Sequence, residues 1–352
     1  MTLVNKLIGQ PDKLFFFMNK TQAIFTFFFL LIQCAFSETI SIKPICSYSF
    51  GQLDEIYYYP ESYDGSKKIS LLEWDRNVFL FGANIHSSFK NIHASAQALS
   101  SIPNQKSGTM DDSDFLNTDD YDIKTRYSTG ANNAAISNAF EFSLGYDFKT
   151  THWLSFSPCA SIQFFYDSFE RKTAEGWYNM SNGWWYDEDS IHYPRTFTNS
   201  DGKTVTQKLG EIDFMRKSFI TWLGFSAIAE PAKKFRIRFG FQISPYAFSK
   251  FIDTHMAQDK LTKEKFGIHT KMIQSSYFNM LSLFAGAEYD ICDRISLTLA
   301  FRYAFTISPA RGTLLRDYIG TDRQSQYFKT EYESGANNAN AEISAGVKIK
   351  IL

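Results

Sequence analysis

AISNAFEFSLGYDF, residues 135–148, carries the architecture of this chain in its alternation. Ile136, Phe140, Phe142, Leu144, Tyr146 and Phe148 share one parity, while Ser137, Ala139, Glu141, Ser143, Gly145 and Asp147 share the other. Successive side chains on a β-strand point to opposite faces, so a period of two over this length reads as strand and not helix. RISLTLAFRYAFTIS (294–308) repeats the pattern, and so does the C-terminus, with Ile343, Val347, Ile349 and Ile351 against Glu342, Ser344, Lys348 and Lys350. One face is almost wholly large and apolar. The other mixes small residues with Glu141, Arg302, Glu342 and Lys348. Lipid outside and a polar lumen within produce that combination, and the lumen charges are expected to be structural ion pairs.

The composition agrees. Aromatics make up 17% of the 352 residues, with 35 Phe and 19 Tyr. No stretch after the N-terminus reaches the roughly 20 apolar residues of a membrane-crossing helix. A formal net charge of −1 argues against nucleic acid as a partner, because phosphate binders carry a basic surplus. Residues 1–37 read as a secretory signal, with Met18 as the expected true start, an apolar core from Ala23 to Phe36, and Ala35-Phe36-Ser37 before the cleavage point. Residues 38–352 are the expected barrel. Cys34 falls in the signal, and a lipoprotein signal ending there is disfavoured by the bulky Gln33 before it. Cys46, Cys159 and Cys292 have no metal or disulfide spacing and read as small strand residues. No metal and no cofactor is expected.

Short connections fall near 86–89, 149–152, 230–234 and 291–293; long polar ones fall near 60–66, 106–131, 176–204, 256–264 and 316–330. This predicts an all-β fold, a ten-stranded antiparallel transmembrane β-barrel with short periplasmic turns and long extracellular loops. Strands of about twenty residues exceed the ~9–11 needed to cross a bilayer, so the upper barrel should stand clear of it. Between 235 and 243 the apolar residues are odd-numbered; after Pro245 they are Tyr246 and Phe248. A β-bulge at Ser244-Pro245 would explain the flip and would turn Asp253 and His255, in FIDTHMAQDK (251–260), toward the lumen.

Three polar clusters sit at extracellular strand ends: GTMDDSDF (108–115), IDTHM (252–256) and DEIYYY (54–59). Taken singly, each is compatible with solvated surface, and DDSD lacks the turn glycine and closing glutamate of a calcium loop. Together they describe a peptide-hydrolysing constellation. An Asp beside a His fixes its tautomer and lets it take a proton from water. Two facing carboxylates can position that water, one of them keeping a proton for the carbonyl oxygen. No serine elbow or zinc motif competes.

From Ile40 to Leu352 the chain resembles the omptins, ten-stranded outer-membrane endopeptidases. GSKKISLLEWDRN (65–77) is similar to the family's second-strand signature, GTMDDSDF to its Met-x-Asp-x-Asp-aromatic motif and IDTHM to its Asp-x-His. The resemblance implies an aspartic-type endopeptidase with Asp112 and Asp114 as one catalytic pair and Asp253 and His255 as the other. It further implies a basic-residue pocket with Glu55 as one acid and Phe251 where the second would stand. Loss of that carboxylate weakens Arg or Lys preference by about 1–3 kcal/mol. The implied partners are polypeptide substrates and outer-membrane lipid, for a monomer with its site facing the cell exterior. FFYDSFERK (164–172) aligns loosely with the family's lipopolysaccharide site on the outer wall, with Asp167 as its acidic member and Phe169 where an Arg is expected, so lipopolysaccharide dependence does not follow. Leu352 stands where such barrels end on an aromatic. EGWYNMSNGWWYDED (175–189) reads as a packed loop tip or a substrate-binding wall. The alternative reading of the whole is a catalytically silent barrel serving as an adhesin or structural protein.

Overall fold

The computed structural model describes residues 38–179, 190–198, 202–207, 209–258, 265–319 and 328–351. The proposed signal region, with Met18 and Cys34, lies outside the described residues, as do the tips of the loops near 180–189, 259–264 and 320–327. Ten long strands follow one another: β1 (Thr39–Tyr58), β2 (Lys68–Asp75, then Val78–Phe89), β3 (Ile92–Ser101, then Gln105–Asp114), β4 (Arg126–Tyr146), β5 (Leu154–Arg171), β6 (Glu211–Ala232), β7 (Phe235–Gln258), β8 (Lys265–Ser276, then Met280–Cys292), β9 (Ile295–Thr306, then Ala310–Ile319) and β10 (Phe328–Lys350). Each pairs antiparallel with its neighbours, and β10 pairs with β1 from Ser41↔Lys350 to Tyr58↔Glu333. The ring is therefore closed, which removes the exposed edges an open sheet would present.

Alternation sorts the side chains as the sequence predicts. Phe81, Leu144, Phe225, Phe239, Leu299 and Val347 are among the large apolar residues exposed on the lower outer face. The interior is filled, not open. Arg302 pairs with Glu141 at 2.6 Å and Lys348 with Glu288 at 3.0 Å. Higher up, Asp167 is fully buried between Arg76 (3.2 Å) and Arg216, and Arg76 also donates to Ser49. Above this triad lies an aromatic stack in which Trp74 and Phe214 ring centroids are 5.2 Å apart and Phe214 and Phe251 are 5.9 Å apart. Ionic plug and aromatic layer together form a floor beneath the upper mouth.

The structure corrects one inferred location. Asp167 and Phe169 do not lie on the outer wall; both are inward-facing and fully buried, because their odd parity on β5 matches that of inward Gln163 and Arg171. They say nothing about lipid binding. The connection expected at 106–131 is also shorter than its composition suggests. Strand pairing continues to Asp114 and resumes at Arg126, so Asp111, Asp112 and Asp114 stand on a strand and not in a loop. The turn expected near 86–89 falls at 90–91, one strand end later. Glu175–Tyr178, at the start of the third long loop, pairs with β4 as a strand extension.

Two irregularities aim the upper strands. On β7, Thr221↔Tyr246 is followed by Leu223↔Ile243, which places one extra residue at Ser244-Pro245. The expected bulge is there, and above it odd positions face inward. A second bulge, unforeseen in the sequence, falls at Ser107, where Lys106↔Asn133 gives way to Gly108↔Asn132. Gly108 has φ +122°, and a Cβ there would lie 2.6 Å from Cβ of Asp75. Only glycine accepts both the conformation and that approach. With the turn at Asn104, this bulge shifts β3 from inward odd residues such as Leu99 to inward even ones, Met110 and Asp112 among them.

Candidate active site

Local alternation brings the predicted residues to one mouth. On β7, Asp253 and His255 share the inward face, and His255 Nε2 lies 2.7 Å from Asp253 Oδ2. Tyr57, on β1, donates its hydroxyl to the same Asp253 oxygen at 3.0 Å. Asp253 is fully buried while the His255 side chain is 39% exposed, so the imidazole is fixed from below and its Nδ1 is left for the cleft. Tyr57 shares Glu55's parity, and that spacing could have singled it out.

Asp112 and Asp114 share the inward face of β3 across the ring. Burial and the Asp114 charge push Asp112 up to about 7, against the pull of His255 and Arg171. Burial also raises Asp114, opposed by Ser70, Arg126 and His255. Burial alone would depress His255, but the charge and hydrogen bond of Asp253, together with Asp112, carry it up to about 9. Each set of groups thus bears on the ionisation of the other. Asp111 does not join them. It faces outward as the cross-strand partner of Glu73, which is itself opposite Asp54; burial and Glu73 push Asp54 up to about 6.

Glu55 is fully buried beneath the cleft, and neither carboxylate oxygen has a hydrogen-bond partner. The Trp74 indole N–H faces it without reaching hydrogen-bond geometry. Burial, then the Asp253 and Asp112 charges, raise Glu55 well above the usual carboxylate range. Phe251 is 4% exposed and stacked on Phe214. It belongs to the aromatic floor.

Arg171 was not anticipated. It is 2% exposed on the inward face of β5 and donates from Nη1 to Ser128 Oγ at 2.8 Å and to Met110 Sδ at 3.1 Å. Its parity with Asp167 was the available signal.

A closed ring of long antiparallel strands, apolar without and ion-paired within, bearing a buried acidic and histidine cluster at one mouth, defines a barrel of the outer-membrane type with an enzyme-like site. The chain belongs to the omptin family, whose model matches residues 37–351. Among solved structures it is similar to the outer membrane protease OmpT from Escherichia coli, at 16% identity and TM-score 0.72 over 90% of this chain and 97% of that one. It also aligns with the translocator domain of autotransporter NalP from Neisseria meningitidis, at 10% identity and TM-score 0.36 over 88% of each chain. Comparison with curated sequences finds no match.

Proposed function

We propose that this protein is a bacterial outer-membrane endopeptidase. Its apolar belt spans the bilayer, and its site opens to the cell exterior. His255, held by Asp253, removes a proton from a water molecule that Asp112 and Asp114 position from the opposite wall. The protonated member of the carboxylate pair donates to the carbonyl oxygen of the scissile bond, and the attack is direct, with no acyl-enzyme. The observation that carries this reading is the inward-facing Asp253–His255 pair at 2.7 Å, on the bulged strand that turns it toward the ionisable groups of β3.

Glu55 draws a basic side chain of the substrate. A buried, unpaired carboxylate is costly, and an arriving guanidinium or ammonium supplies the missing charge and hydrogen bonds. With one carboxylate over an aromatic floor, the pocket takes a cation whose methylenes lie against apolar rings. Cleavage of a randomised peptide library by the refolded protein is expected to enrich Arg or Lys before the cut. Glu55→Gln should lower that enrichment by about 10- to 100-fold, the equivalent of a charged hydrogen bond. A library cut without basic enrichment removes Glu55 from this role.

The pH profile has a defined shape. Below about 7 both Asp112 and His255 hold protons, and no base is available. Above about 9 His255 loses its proton and the site has none left to donate. Between these values one proton is shared, and the form with neutral imidazole and protonated carboxyl has the same net protonation as the ion pair. Accordingly kcat/KM, which reports the free enzyme, is expected to rise through about 7 and fall through about 9. A profile flat across that range sinks the assignment.

The lipid partner is matched better by the outer face of β6 and β7 than by β5. Lys217 and Lys250 are cross-strand partners there, and Lys217 Nζ lies 5.6 Å from the Tyr166 ring centroid. A lipid phosphate would meet two cationic side chains there.

A further inference from the structure

We propose that Arg171, fixed by Ser128 and Met110, is the positioning residue that holds Asp112 as a carboxylate beside the Asp253–His255 pair. This rests on the protease function proposed for the same site. The geometry is specific. Ser128 on β4 is the direct cross-strand partner of Asp112, and Met110 precedes Asp112 by two residues on the same face of β3. The two contacts of the guanidinium therefore bracket Asp112. Gly130, on β4, lies against this segment: a Cβ there would clash with the Thr173 carbonyl oxygen and lie 3.1 Å from Arg171 Cγ.

A buried guanidinium costs several kcal/mol to desolvate unless anions surround it, and the Arg171 Nε has no hydrogen-bond partner. What compensates it is carboxylate charge: Asp112 first, then Asp253 across the cleft, with Asp111 on the outer side of the same strand. Asp112 in turn faces Asp114 from its own strand, Asp253 and His255 from β7, Glu55 from β1 and Arg171 from β5. Of these neighbours Arg171 is the permanent cation. His255 carries its charge only while protonated, and it must give that charge up to act as base. Without Arg171, three carboxyl groups surround Asp112 with no fixed counter-charge, and the doubly protonated site, in which neither Asp112 nor His255 can act as base, persists to higher pH.

The test is a titration of Asp112 that does not depend on turnover. Refolded full-length protein with ¹³Cγ-labelled aspartate is followed by NMR in detergent micelles, the Asp112 resonance being identified by its loss in Asp112→Asn. The wild-type midpoint is expected near 7. In Arg171→Gln it should rise by about one unit or more, a tenfold change in proton affinity, as loss of an adjacent opposite charge requires. Ser128→Ala, which removes one tether, should shift it less, and Arg171→Lys should restore most of the wild-type value. The rising limb of kcat/KM should move up by the same amount, with the rate recovering at higher pH. A merely structural Arg171 would lower activity at every pH and leave the limbs in place. An unchanged Asp112 midpoint in Arg171→Gln overturns the proposal. Should that variant not form the barrel, Ser128→Ala takes its place, and a midpoint that Ser128→Ala leaves unmoved overturns the proposal equally. A moved midpoint in a protein inert toward all peptides would retain Arg171 in this role and overturn the protease reading alone.

Discussion

Replacing His255 with alanine is expected to lower kcat/KM toward a basic fluorogenic peptide by about 10²–10⁴-fold, the range for loss of a general base. The physical reason is that, among the described residues, no other side chain in the cleft combines a titratable nitrogen with a fixed orientation. Tyr57 donates to Asp253 and Asp253 holds the imidazole, so removal of the ring leaves a buried acid with no base above it. The barrel should survive the change, since the side chain is 39% exposed and stands above the floor. Its integrity is read from the heat-dependent shift in gel mobility that closed barrels show. Asp112→Asn should fall in the same range. A His255→Ala variant that cuts at the wild-type rate removes the dyad from the mechanism, and inert wild-type protein in several lipids favours a silent barrel.

The second large effect concerns stability. Asp167→Asn is expected to cost about 3–5 kcal/mol, measured as the loss in unfolding free energy by denaturant titration in micelles. Asp167 is fully buried and binds Arg76 through Oδ1 and Arg216 through Oδ2. Neutralising it leaves two guanidinium groups in the interior without their counter-charge. Asn338, Asn340 and Ser49 also accept from these guanidiniums but carry no charge. The surface pair Lys172–Glu170 at 3.1 Å makes the contrast, with its partners 68% and 32% exposed; removing it should cost about 0–1 kcal/mol. If Asp167→Asn costs no more than that surface pair, the triad is not what holds the floor.

Much of the arrangement was legible along the chain, and particular residues show why. Phe239 and Phe241 on one parity, then Tyr246 and Phe248 on the other, announced the bulge at Ser244-Pro245 and hence the inward aim of Asp253 and His255. The bulge at Ser107 gave no such notice, because the residues around it are small or polar on both faces and no apolar parity is broken. Asp112 and Asp114 were identifiable by motif at a strand end, but the acidic composition made the loop from 106 to 131 read longer than it is. Phe169 and Asp167 were misplaced for a related reason. Aromatic and charged residues suit either side of a barrel wall, and a local window does not reveal which side a given parity takes.

Strand content, closure into a ring of alternating faces and family membership are properties of near-neighbour pattern, and the linear chain determines them because a period of two is a local geometric fact. The burial of Glu55, the seat of Phe251 in the floor, the Arg76–Asp167–Arg216 plug and the cation beside Asp112 depend on groups far apart along the chain. Their energies come from desolvation and charge at close range, which exist only once opposite walls have met.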